Sequence, residues 1–269
     1  MQKILVPTDF SANADNAAQF AIDIANKLGS ELHFLHSFII SSRRADVMKN
    51  MGKVARNEAE GNMAKAIIKF KPMLVNAASA RGEVMVGAAA DNAVYYAKKN
   101  GCGLIVMGTQ GATGALEVFI GSTTGAVLKN TPAPVLAIPA GFPFRPFENI
   151  VLALDNQPLP SRDVFAPLQK LAAEYKAKVN IFHHRTEEGE KGVDRAVERY
   201  LGGLDVSFHE VAGGTNVHGR INLFVEKTGA GLLCMVRRKR GFFEGIFKGS
   251  ATLKQAYNSP VPLLVLIGG

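Results

Sequence analysis

Short, almost unbroken apolar runs recur along the chain: ILVP at 4–7, LHFLH at 32–36, GLIVMG at 103–108 and PVLAIP at 134–139. Runs of this length without polar alternation predict strands covered on both faces, as in a parallel sheet. Between them lie stretches with apolar residues at helical spacing. ANADNAAQFAIDIANKLG is preceded by Ser11, a good cap, and closed by Gly29; helical patterns also cover 43–71, AADNAVYYAKKNG and STTGAVLKN. In the 43–71 pattern Ala59, Met63, Ala66, Ile67 and Phe70 share one stripe, which reads as a core-facing side. Strand and helix in strict alternation predict an open parallel α/β sheet. Such sheets take ligands beyond the carboxyl ends of their strands, where the strand order reverses.

The pattern is written twice. LIVMGTQG at 104–111 aligns with LLCMVRRK at 232–239, Gly121-Ser122 with Gly249-Ser250, and NTPAPVLAI at 130–138 with NSPVPLLVL at 258–266, all at one offset of 128. Nearer the start, ILVPTD at 4–9 pairs with IVLALD at 150–155 at an offset of 146, and ELHFLH at 31–36 with KVNIFH at 178–183 at 147. The second copy is therefore shorter between its second and later strands, where the first carries the 43–71 helix. Two domains are expected, 1–141 and 147–269. The segment AGFPFRPFEN at 140–149 crosses between them, its prolines favouring an extended path.

Composition narrows the partners. The net charge of +8 comes from 31 basic and 23 acidic residues, shared about evenly by the halves with no basic block. Without Trp, and with most Phe inside apolar runs, this is not the profile of a nucleic-acid binder. No stretch approaches the ~20 apolar residues of a membrane span, and MQKILVPTDF lacks the apolar region of a signal peptide. Cys102 and Cys234 fall inside or beside apolar runs of the two halves, predicting buried thiols in a reduced, cytoplasmic protein. His36, His183 and His184 lack convergent metal ligands and are read as strand-end packing or hydrogen-bonding groups.

The candidate chemistry lies in MGTQGATGALEVFIGST, 107–123. Glycines let backbone N–H groups approach a phosphate, and a helix beginning at Gly121 adds unpaired N–H groups with partial positive charge. Ser122, Thr123 and Thr124 add hydroxyls. On the residues alone, the stretch also fits a flexible turn ending in a Gly-Ser helix cap. Neither a GxxxxGK[ST] loop nor a GxGxxG fingerprint after the first strand is present.

Gly108-x2-Gly111-x9-Gly121-Ser122 matches the G-x2-G-x9-G-[S/T] motif of ATP-binding universal stress proteins, and VPTDFS, LHFLHSF, LIVMG and APVLAIP resemble that family's strands. The chain thus resembles a tandem universal stress protein. The resemblance implies two Rossmann-like (adenine nucleotide alpha hydrolase-like) open parallel sheets of order 3-2-1-4-5, with ATP or AMP at the ends of the first and fourth strands. It places Pro7 and Thr8 beside adenine and Asp9 at the ribose or at a phosphate-bound Mg²⁺. Ser37 falls at the base, Met107 and Gly108 border base and ribose, and Gly111, Gly121, Ser122, Thr123 and Thr124 take the phosphates. It further implies pairing of the two fifth strands within the chain, with a homodimer of whole chains left open.

In the second copy Val236 stands at the place of Gly108 and Lys239 at that of Gly111, although Asp155 and Gly249-Ser250 remain. A β-branched side chain resists the loop conformation and fills ligand space, so no site of this type is expected there. RRKRG at 237–241 reads as a solvated basic turn, with anion binding or reach toward the first site as alternatives, and the Phe residues of 242–247 as loop anchors. Three functions remain open: a nucleotide-binding sensor or switch in stress response, a slow ATPase or other ATP-dependent enzyme (adenylating or phosphoryl-transferring), and an interaction scaffold that binds no nucleotide. No SGGxDS-like loop or HxGH helix start supports the enzyme.

Overall fold

The computed structural model describes residues 1–40, 45–75, 78–109, 121–155, 158–185, 195–212, 217–238 and 259–268. The described chain to Ala133 forms one compact unit and the chain from Pro134 a second. Among the described residues no helix is long and apolar enough to cross a membrane.

The first unit alternates β1 (Lys3–Pro7), α1 (Ala12–Leu28), β2 (Glu31–Phe38), α2 (Ala45–Phe70), β3 (Ser79–Val86), α3 (Ala89–Asn100), β4 (Leu104–Gly108) and α4 (Ser122–Asn130). Its strands are parallel and ordered β3-β2-β1-β4. Ile4, Leu5 and Val6 of β1 and Leu104, Ile105 and Val106 of β4 are fully buried, each contributing about 1.5–3 kcal/mol of apolar burial. The local signals operate as physical chemistry demands. Ser11 Oγ accepts from Ala14 N at 3.2 Å to start α1, and Gly29 ends it in the left-handed region at φ 62°. The α2 stripe is seated at Ala59, Met63 and Phe70, all buried, with Ala66 and Ile67 half-buried. Right-handed crossovers assign α1 and α2 to one face of the sheet and α3 and α4 to the other.

The second unit holds β5 (Val135–Ile138), β6 (Asn149–Leu154), α5 (Ala166–Tyr175), β7 (Lys178–Arg185), α6 (Ala196–Tyr200), β8 (Val206–Ala212), α7 (Val217–Thr228), β9 (Leu232–Arg237) and β10 (Leu263–Ile267). Here the strands order as β5-β10-β9-β6-β7-β8. The second copy's five strands are parallel neighbours in the order third, second, first, fourth, fifth. Strand β5 groups with this unit because it runs antiparallel to β10, Leu136 opposite Leu264. The pairing covers one edge of each strand.

The sequence repeat reappears as strand register. Ile4 pairs with Leu104 and Leu32 in the first unit, and Ile150 with Leu232 and Val179 in the second. Asp155 thereby stands at the place of Asp9, and Val236 at that of Gly108. The register also explains one divergence. Gly82 of β3 lies under α2, where a Cβ would sit 2.4 Å from Met63 Cγ. Its counterpart in β8 is Phe208, covered instead by the Arg195 guanidinium at 4.2 Å from the ring. The glycine stands in the copy with the 26-residue α2, and the large side chain in the copy with the five-residue α6.

Both cysteines are buried, and burial pushes the Cys102 thiol up to about 11 and Cys234 further. A polar chain runs from the core to the surface near the amino ends of β1 and β2. His33 is fully buried, its Nδ1 3.2 Å from the Tyr96 hydroxyl and its Nε2 3.1 Å from Glu31. Arg81 Nε donates to Glu31 at 2.6 Å. Burial lowers the pKa of His33 despite the neighbouring carboxylate. For Glu31 the bonds from His33 and Arg81 outweigh burial, and its pKa is also lowered. Both folded values lie below the unfolded ones, so the stability that they confer is present above the unfolded pKa and lost on acidification. Urea unfolding should therefore show stability falling from pH ~6.5 downward, with His209 and His218, also lowered by burial, adding to the slope. A His33→Gln variant should have a flatter profile between pH ~7 and ~5; an unchanged slope would remove His33 from the account.

Candidate functional site

The site is built where β1 and β4 end side by side. Extending the register from Ile4 opposite Leu104 and Leu5 opposite Ile105 sets Pro7 beside Met107 and Thr8 beside Gly108, although about 100 residues separate them in sequence. On the other flank Pro7 pairs with Leu35 of β2, leading to His36 and Ser37.

The turn after β1 is held by side chains. Thr8 N donates to Leu35 O at 2.9 Å, Thr8 Oγ1 accepts from Phe10 N at 2.9 Å, and Asp9 Oδ1 accepts from Ser11 N at 3.1 Å. Asp9 is exposed. His36 Nδ1 donates to Thr8 O at 2.8 Å, which fixes the tautomer with the proton on Nδ1 because a carbonyl oxygen only accepts. Phe10 has φ 61°, an unusual state for a bulky residue, and its ring packs on His36 with centroids 4.5 Å apart. Local strain of this kind concentrates at ligand sites. Ser37 Oγ accepts from Asn92 Nδ2 at 3.1 Å. The Asn92 carboxamide is seated over Gly87, whose φ of 128° suits glycine.

On the β4 side Met107 is buried at the strand end. Gly108 O accepts from Thr124 Oγ1 at 2.7 Å, and Thr109 O accepts from Gly121 N at 2.5 Å. Those two bonds hold the start of α4 against the end of β4. Gly121 caps α4, and Gly125 N closes the first turn onto Gly121 O at 2.8 Å. The N–H groups of Ser122, Thr123 and Thr124 therefore lie in the first turn, without intrahelical acceptors. Ser122 and Thr123 are exposed; Thr124 is buried and its hydroxyl proton is committed to Gly108 O. Thr124 thus has its backbone N–H, rather than its hydroxyl hydrogen, to offer an anion. Gly111, along with Gly114, lies outside the described residues.

The structure brings Pro7, Thr8, Asp9, Met107, Gly108 and Gly121 to Thr124 to one end of the sheet, with Ser37 one strand further out. Phe10, His36 and Asn92 were not foreseen as site residues. The repeat of His36 as His183 was a signal of a structural role at that strand end, whereas nothing local marks Asn92. Among the described residues no group of three or more His, Cys, Asp or Glu could hold a metal. Asp9 is one carboxylate, a donor set that suits a Mg²⁺ whose other ligands are phosphate and water.

The second unit departs from this geometry. Val236 replaces Gly108 and is buried. Arg237 and Arg238 are half-buried, not the solvated turn that their composition suggested, while Lys239 and the rest of the loop to 258, including Gly249-Ser250 and the Phe residues, fall outside the described residues.

A family model described as the Universal stress protein family matches residues 1–139. A universal stress protein of Methanocaldococcus jannaschii is 30% identical over 138 residues, covering 51% of this chain and 81% of that protein. A second from the same organism is 26% identical over 160 residues, covering 51% and 94%. Over the whole length, the crystal structure of a universal stress protein from Archaeoglobus fulgidus superposes with a TM-score of 0.72 at 22% identity, covering 99% of this chain and 96% of that one. That last likeness extends the shared fold to the second unit.

Proposed function

The chain belongs to the universal stress protein family, and from that premise we propose that its first half binds one adenine nucleotide, ATP or AMP, as a sensor or switch in stress response. The family domains are drawn at 1–141 and 147–269, the second serving structure or interaction, with the β5–β10 pair as their join. The observation that carries the reading is the tethering of α4 to β4 through Thr124 to Gly108 and Gly121 to Thr109. It fixes a helix start, with its unpaired N–H groups, at the end of β4, the strand beside which the register sets Thr8. A helix dipole alone contributes only about 0.3–1 kcal/mol, so most of the affinity falls to direct N–H bonds and to contacts with base and ribose.

Each residue has a task under this reading. Pro7, Thr8 and Ser37 line the base, Met107 and Gly108 border base and ribose, and Gly111, Gly121, Ser122, Thr123 and Thr124 cradle phosphates. Asp9 holds the ribose, or one position of a Mg²⁺ brought by ATP; when bound, that ion neutralises phosphate charge. Phe10 and His36 lock the Thr8 turn, and Asn92 orients the Ser37 hydroxyl. No lysine or arginine from the described strand ends of the first unit is assigned to the phosphates, which favours holding a nucleotide over cleaving it.

Calorimetric titration of nucleotide-stripped protein with ATP and Mg²⁺, alongside phosphate release, tests the proposal. One site per chain and negligible turnover are expected. Two equal sites would refute the assignment to the first half, absence of binding would leave a scaffold, and sustained turnover would make the protein an enzyme.

A further inference from the structure

The second unit keeps the acidic residue of the first but surrounds it differently. At the end of β6, Asp155 is 21% exposed and has the Arg238 Nη2 3.2 Å from its Oδ1; Arg238 itself is only 13% exposed. Arg238 Nη1 donates to Pro158 O, so the guanidinium, carried just past the end of β9, meets the chain that leaves β6 at two points. The one at Asp155 is a contact of charges, since Nε and Nη2 are buried without a hydrogen-bond acceptor. By register Arg238 corresponds to Gln110, just past the strand end where the first unit places Gly108. Asp9, the counterpart of Asp155, is exposed, with its described side-chain bond coming from the backbone of its own turn.

The space beside this pair is filled as well. Val236 occupies the place of Gly108 and is buried. Gly268 approaches it so closely that a Cβ there would lie 2.9 Å from Val236 Cγ1 and 3.5 Å from Pro160 Cβ. Gly268 N also donates to Arg237 O at 2.9 Å, continuing β10 past the end of β9. Among the described residues, the reversal point between β6 and β9 thus carries a buried branched side chain at the end of β9 and an ion pair across to the end of β6.

We propose that Arg238 is an internal occupant of the second half's strand-end crevice, its guanidinium neutralising Asp155 where a bound ligand would otherwise stand. Arg suits this role because one nitrogen can donate to a carbonyl while the delocalised, weakly hydrated charge faces a carboxylate, which a compact lysine ammonium does less well. A partly buried pair of this kind becomes costly when one partner is removed, since the other charge is left uncompensated. Two consequences follow. The ends of β6 and β9 are held without any ligand, and the crevice is unavailable to a nucleotide. The second consequence rests on the nucleotide reading of the first half; the first does not.

Hydrogen exchange of the full chain, read by mass spectrometry with and without saturating ATP and Mg²⁺, tests the contact. In nucleotide-free protein, Arg238→Ala should speed exchange of amides at 151–155 and 233–237 by about tenfold, equivalent to ~1.4 kcal/mol of local opening. Asp155→Asn should do the same, and the double variant should add no more than about a further twofold, because both changes break one interaction. Arg238→Lys should fall between wild type and Arg238→Ala, and decides the matter if the alanine variant does not fold. Exchange within twofold of wild type, or fully multiplicative single effects, would overturn the proposal. So would slowing of wild-type exchange at 151–155 by ATP, which would mean an open crevice. If ATP instead leaves amides 3–9 and 104–109 unchanged, the nucleotide reading fails, while the mutant comparison still judges the Asp155–Arg238 contact.

Discussion

Replacing Gly108 by Val should weaken ATP binding by about 100-fold or more, roughly 2.7 kcal/mol, while leaving the fold intact. The grounds for both halves of that expectation lie within one chain. At the equivalent register the second unit carries Val236, buried at the end of a parallel strand with neighbours on both sides. The scaffold therefore tolerates the branched side chain. The first unit's strand end is the place where the proposed ligand must approach the backbone closely, and a branched Cβ there adds bulk beside Pro7 and Thr8 as well as stiffness to the loop that follows. Calorimetric titration against wild type, with far-UV circular dichroism and thermal unfolding as folding controls, measures the effect. Binding within threefold of wild type would separate Gly108 from the site. A collapse of thermal stability would show that the glycine serves the fold rather than the ligand.

Truncating Phe70 to Ala should cost about 3–5 kcal/mol of stability, the range for large aromatic deletions in a packed core. Phe70 ends α2 and is buried against Phe34 of β2, their rings 5.5 Å apart and 4° from parallel. Lys69 beside it lies over the ring and pairs with Asp15 of α1 at 2.6 Å. The exposed ion pair contributes little by itself, so the ring carries the attachment of this end of α2. Denaturant unfolding of Phe70→Ala should show the loss, and hydrogen exchange should place it in α2 and β2. Phe70→Leu, closer in volume, should retain most of the stability. A cost below ~1 kcal/mol for the alanine variant would mean that α2 is held elsewhere.

How far the sequence carries differs between fold and site. Strand and helix positions were legible because each signal is local: the apolar runs of β1, β2, β4 and β5 are buried where their patterns place them, and Ser11 and Gly29 bound α1. The duplication was legible too, and its offsets return as register, Ile4 with Leu104 and Ile150 with Leu232. Val236 at the place of Gly108 could be read from the alignment of the copies alone.

Side-chain pairings could not be read in this way. Arg238 looked like part of a solvated basic run, and its contact with Asp155 joins residues more than 80 apart whose loops meet only after β6 and β9 are neighbours. The bond from Asn92 to Ser37 and the stacking of Phe10 on His36 likewise depend on where a helix start and a turn come to rest. By itself, the sequence determined an alternating parallel α/β chain written twice, with a glycine-rich strand end kept in one copy and lost in the other, because burial periodicity and glycine chemistry act residue by residue. Tertiary structure alone decided which polar groups meet at each strand end. Hydrogen bonds and ion pairs act over about 3 Å, and only the assembled register brings distant loops that close.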